Sequence, residues 1–196
     1  MTSSQKHNTS QSSPCMPRRT LIVATTATLV NTVFPSNVFA DEAVDRPKEG
    51  DYFVDFEDTK FTPLRADQII IGQPQIIAWP VSPNSKIVRD GSRLNKVLLL
   101  RIDPATMTEQ TRSRSAEGII AYSAICQHGG CEVTNWIDGP NILECPCHNS
   151  QYNPRDAALV IDGPTPKPLP ALPIKIIDGV IVAAGTFTGR VGFQQL

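Results

Sequence analysis

Past residue 62 the chain reads as short apolar runs, each closed off by Pro, Gly, Asn or Asp: IIIG, QIIAWP, KVLLLRI, GIIAYSAI, EVTNW and AALVI. Such runs predict β-strands, because a helix needs a longer stretch with a 3.6-residue apolar period. The sharpest local signal is PIKIIDGVIVAAG, residues 173–185, where two apolar runs flank Asp178-Gly179. That dipeptide favours the positive φ angles of a two-residue type I′ turn, so a β-hairpin is expected here. Residues 103–118 are polar and charged and read as a surface loop. Residues 41–62, DEAVDRPKEGDYFVDFEDTKFT, are rich in acidic side chains and read as a linker or lead-in. No internal repeat is visible. The predicted class is all-β, an antiparallel sandwich or open barrel.

Before residue 41 the pattern changes. A Ser-, Thr-, Gln- and Asn-rich opening leads into RRTLIVATTATLVNTVFPSNVFADE. Arg18-Arg19 precede an uncharged, mostly apolar run over residues 21–40, and Val38-Phe39-Ala40 supplies small residues suited to a cleavage site. Twin arginines before an apolar run resemble a Tat export signal, which addresses proteins that fold before crossing the membrane. Residues 1–40 are therefore expected to be a Tat-like signal peptide cleaved after Ala40, or a retained N-terminal membrane anchor. The expected location is the periplasm.

Composition narrows the partners. A net charge of -1 carries no basic excess, which argues against nucleic acid. The length suffices for one domain with a real core. Export alters the meaning of the five cysteines, since disulfides persist outside the cytosol. Cys15 falls in the leader; the other four fall in two short runs.

Those runs are CQHGGCEV, residues 126–133, and ECPCHNSQY, residues 144–152. They gather Cys126, His128 and Cys131 in one and Cys145, Cys147 and His148 in the other. Cys and His at these spacings suit a zinc site, a pair of structural disulfides with incidental histidines, or an iron–sulfur cluster.

The pattern C-x-H-x-x-C followed by C-P-C-H-x-S-x-Y resembles the Rieske family, in which a [2Fe–2S] cluster takes two thiolates on one iron and two imidazoles on the other. The resemblance implies a Rieske-like antiparallel β-sandwich over residues 63–196, with a two-loop subdomain holding the cluster. It implies Cys126 and Cys145 as thiolate ligands, His128 and His148 as imidazole ligands, and a Cys131–Cys147 disulfide tying the loops together. It further implies hydrogen bonds from Ser150 to a bridging sulfide and from Tyr152 to the Cys126 sulfur. Donors to sulfur favour the reduced cluster, so the potential is expected high in a range of roughly −150 to +300 mV. Gly163-Pro164-Thr165-Pro166 resembles the family's proline loop. Two positions depart from the pattern. Gly129 stands where quinol-oxidising members commonly carry Leu, and Asn149 stands where Gly is common, although Asn tolerates a left-handed backbone.

Function follows from counting. A ring-hydroxylating oxygenase of this family needs further histidines for a mononuclear iron. The chain has three, and His7 lies in the leader, so none is left beyond the cluster pair. Catalysis by histidine falls on the same count. What remains is one-electron transfer with no independent catalytic site. The exposed imidazoles imply that reduction can be coupled to proton uptake at His128 or His148. Residues 63–196 look most like the small subunit of arsenite-oxidase-type enzymes, paired with a large molybdenum-containing subunit. The Rieske subunit of a cytochrome bc complex, paired with cytochrome b, comes next and is favoured by Tyr152; a free periplasmic carrier is third. A c-type cytochrome or similar acceptor is expected in each case.

Overall fold

The computed structural model describes residues 42–193, so the expectations for residues 1–40 lie outside it. Ten strands run through the described residues. They are β1 (Tyr52–Asp55), β2 (Ile76–Val81), β3 (Val97–Arg101), β4 (Ile119–Ser123), β5 (Asn135–Ile137), β6 (Ile142–Cys145), β7 (Ser150–Asn153), β8 (Leu159–Asp162), β9 (Ile174–Ile177) and β10 (Val180–Ala183). One antiparallel sheet has the order β4-β3-β2-β1-β10-β9 and a second has the order β5-β6-β7-β8. The all-β class and the two-sheet, Rieske-like sandwich are as expected.

The runs KVLLLRI and GIIAYSAI lack polar alternation because β3 and β4 are covered on both faces. Val97, Leu99, Ile119 and Ala121 pack into one core with Phe53 and Ile181. Leu98, Leu100, Ile120 and Tyr122 face the other core, shared with Leu143, Tyr152, Cys126 and Cys145. The second core is the floor of the two Cys/His loops. The β9–β10 hairpin forms as expected: Ile177 pairs with Val180, and Asp178 and Gly179 take φ of 51° and 78°.

Three expectations are corrected, and two strands are added. The acidic segment 41–62 is no linker throughout, since β1 lies inside the larger sheet between β2 and β10. Phe53 and Val54 are fully buried, each burial contributing about 1.5–3 kcal/mol. The charge beside them is neutralised, because buried Asp51 accepts from Arg89 Nε at 2.6 Å and Nη2 at 3.1 Å. Composition averaged over the segment hid a strand of four residues. The stretch 103–118 is built rather than loose. It holds a 3-10 turn (Pro104–Thr106) and a one-turn helix α1 (Glu109–Arg112), with Asp103 capping the first and Thr108 the second. Met107 and Thr111 are buried there. The run IIIG is not a strand: only Ile69 is buried, Ile70 and Ile71 are exposed, and the chain turns at Gly72 (φ 73°). Finally, β6 and β7 carry ILEC and SQYN, which have too few branched apolar residues to stand out in the sequence.

Candidate metal centre

Two loops leave the second core at the same end. The first, residues 126–133, follows β4 and folds back on itself: Cys126 N–H donates to the Cys131 carbonyl (2.8 Å) and Gly130 N–H to the Cys126 carbonyl (3.1 Å). The second is the tip of the β6–β7 hairpin. Cys145 ends β6, Ser150 begins β7, and the two are register partners. Asn149 N–H closes the tip on the Cys145 carbonyl (3.0 Å). The tip needs one left-handed residue, and Asn149 supplies it with φ 55°.

Cys126 and Cys145 are buried and unbonded. Burial pushes the Cys145 thiol up; backbone N–H groups of Cys147 and His148 oppose this, and the adjacent Cys126 sulfur adds to the rise. The His128 and His148 rings stand edge to face, their centroids 4.6 Å apart. His148 is exposed and His128 half-buried. Cys131 and Cys147 are joined by a disulfide, with Cα atoms 6.5 Å apart, which ties the first loop to the second. Its sulfurs lie within 4.8 Å of Cys145 Sγ. Being bonded to each other, they are no thiolate donors.

Tyr152, fully buried, places its hydroxyl 3.1 Å from Cys126 Sγ. It also donates to Thr165 Oγ1 at 3.2 Å, and Thr165 in turn donates to the Lys167 carbonyl at 3.4 Å. Burial pushes the Tyr152 phenol up, with the Cys126 sulfur adding to the shift. All eight residues singled out in the sequence therefore meet at one end of the fold. Gly163 opens the third wall. Its φ is 88°, and a Cβ there would stand 2.5 Å from Ser150 Cα, so only Gly lets the proline loop touch the second Cys/His loop.

Two contributors escaped the sequence reading. Thr165 reaches Tyr152 from thirteen positions away, and nothing in GPTP marks it as a partner for a phenol. Buried Gln127 pairs its amide with the C=O and N–H of Gly192 (3.1 and 3.2 Å), anchoring the first loop to the C-terminal segment.

The donor set suits a [2Fe–2S] group: two adjacent thiols and two adjacent imidazoles, with no carboxylate among them. Of the four buried side-chain polar atoms without partners among the described residues, two lie here, Ser150 Oγ and His128 Nδ1. Leaving such groups unpaired costs about 1–3 kcal/mol each, and a bound group beside them removes that cost.

The sequence pattern of the Rieske [2Fe–2S] domain family matches residues 94–173. The Rieske subunit named for a respiratory nitrate reductase in Haloferax mediterranei is 46% identical over 76 residues, 38% of this chain and 34% of that protein. The cytochrome bc1 complex Rieske iron-sulfur subunit of Streptomyces lividans is 37% identical over 98 residues, 49% of this chain and 58% of that one. The chain thus spans about a third and somewhat over half of these relatives' lengths. Among solved structures, the ferredoxin of carbazole 1,9a-dioxygenase from Nocardioides aromaticivorans aligns with a TM-score of 0.40 and 19% identity, covering 64% of this chain and 99% of that one. Residues 94–173 thus carry a Rieske [2Fe–2S] domain, with a Rieske-type [2Fe–2S] cluster as its cofactor.

Proposed function

We propose that Cys126 and Cys145 hold one iron of the cluster, His128 and His148 hold the other, and the chain transfers electrons as the small subunit of a larger exported oxidoreductase. The observation that carries this is the meeting of two buried, unbonded thiols with two neighbouring imidazoles across loops pinned by the Cys131–Cys147 disulfide. A [2Fe–2S] cluster held there takes up and releases one electron at a time. The protein's own residues do the rest. The disulfide holds the loops together, the apolar floor of Leu143 and Tyr152 keeps water from the thiolates, and exposed His148 provides a way out.

Our reading of the larger assembly is an arsenite-oxidase-type enzyme in the periplasm, with a molybdenum-containing catalytic subunit and a c-type cytochrome as acceptor. The Tat-like leader, cleaved after Ala40 or kept as an anchor, supports export. Among the described residues no helix is long and apolar enough to cross a membrane. Exposed Gly129, with open space around it, also supports this reading, because it offers no apolar side chain at the tip for a quinol-oxidising partner to grip. The second reading is the Rieske subunit of a cytochrome bc complex, which Tyr152 and the bc1 subunits among its relatives favour.

The deciding experiment is metal and haem analysis of the native complex, isolated through a C-terminal tag. Molybdenum without b-type haem is expected. A b-type haem without molybdenum would establish the second reading instead. Two irons per chain with neither would leave a free carrier.

A further inference from the structure

Beside the first Cys/His loop lies a groove of about 380 Å³ whose lining includes Arg114, Gln127, Lys167 and Arg190. Among the described residues, none of its three cations pairs with a carboxylate. Most other cations do, including Arg65, Arg89, Lys96, Arg101, Arg112 and Lys175. Arg46 extends the strip: beyond burial, repulsion from Arg190 lowers its pKa, so the two guanidiniums are neighbours. A chain whose net charge is -1 thus concentrates unpaired positive charge on one flank of its metal centre.

The groove is also wired to that centre. Gln127, buried in its wall, shares a peptide bond with Cys126 on one side and with His128 on the other. Lys167, on the same wall, accepts at its carbonyl from Thr165, which is hydrogen-bonded to Tyr152, which contacts the Cys126 sulfur. The exposed His148 sits at the tip of the other loop and is not among the residues that line the groove. A carrier bound within a larger assembly can receive at one place and deliver at another, and the groove and the histidine tip are candidates for the two.

We infer that this groove is a second docking face, which receives an acidic surface of a protein electron partner and passes electrons to or from the Cys126 side of the cluster. The inference rests on the electron-transfer reading above. Clustered charge of one sign raises the encounter rate with an oppositely charged partner 10- to 1,000-fold at low salt, and the gain fades as salt screens it.

The test is stopped-flow oxidation of the full chain, carrying its reduced cluster, by an acidic c-type cytochrome, across ionic strength. The variant Lys167→Glu/Arg190→Glu is expected to slow the reaction about tenfold or more at low salt and to flatten its salt dependence. Lys86→Glu/Lys175→Glu makes the same charge change at a separate groove on the larger sheet and is expected to stay within twofold of wild type. Equal slowing in both variants would reduce the effect to net charge and overturn the proposal. No slowing in the first would place the electron exit at the histidine tip and overturn it too. If the first variant slows oxidation by hexacyanoferrate but not by the cytochrome, the groove is a small-anion site and the docking proposal fails. An unchanged reduced-cluster EPR spectrum in both variants keeps these outcomes separate from loss of the cluster. A wild-type chain with no such signal would sink the electron-transfer reading itself, and this proposal with it.

Discussion

Tyr152 has one hydroxyl proton and two neighbours within reach, Cys126 Sγ and Thr165 Oγ1. A thiolate at Cys126, as proposed for the cluster-bound protein, would have no proton to offer, so the Tyr152 proton would go to sulfur. Thr165 then turns its own proton from the Lys167 carbonyl to the Tyr152 oxygen. This makes Thr165 the residue that sets the phenol's direction. Removing a donor that favours the reduced state by about 1–2 kcal/mol lowers a one-electron potential by roughly 40–90 mV. Tyr152→Phe and Ser150→Ala are each expected to show a fall of that order in an EPR-monitored redox titration. Thr165→Val is expected to show a smaller fall, and a Tyr152→Phe/Thr165→Val double variant no further loss beyond Tyr152→Phe. A Thr165→Val potential equal to wild type would mean that the phenol aims itself. The sequence marks the cysteines and histidines that the fold brings together because metal chemistry demands rare residue types at tight spacing. It is silent on Thr165 and Gln127, whose roles arise from loops that meet only after folding.

Among the elements, β1 shows how a strand hides inside acidic composition. Its buried residues Phe53 and Val54 come two and three positions after Asp51, whose charge is answered by Arg89 from a distant segment. Asp51→Asn leaves that guanidinium buried with only Glu42 and Asp45 near 4 Å, and is expected to cost about 3 kcal/mol in thermal or urea unfolding. The hairpin at Asp178-Gly179 was readable because its turn is dictated by two adjacent residues. The short strands β6 and β7 were not, because their pairing is fixed by the loop they carry and by what Leu143 and Tyr152 bury. At Gly163 a methyl group meets Ser150 backbone in a conformation that suits Gly alone. Gly163→Ala is therefore expected to lose about 2 kcal/mol or more and to reduce the fraction of chains that hold iron, read by melting temperature and iron content.

Across the whole molecule, the disulfide spans a sequence separation of 16, and closing a loop of that size stabilises by about 3 kcal/mol. A Cys131→Ser/Cys147→Ser variant is expected to lose about that much stability and to bleach faster in air than wild type. Tyr122 links the two halves of the cluster-side core, donating to the Pro154 carbonyl at 2.9 Å, and burial pushes its pKa up to about 12. The folded value lies above the unfolded one. Its stabilisation is therefore complete below about pH 10 and lost as pH rises toward 12, at no more than about 1.4 kcal/mol per pH unit. Tyr122→Phe is expected to lower that slope in alkaline unfolding curves.

Because β3 puts alternate side chains into both cores, the two are expected to melt together. Heat should strip the visible colour at the same midpoint at which the far sheet loses its circular dichroism. For anyone handling the purified protein, its hue then serves as a gauge of the entire fold, including parts far from any iron.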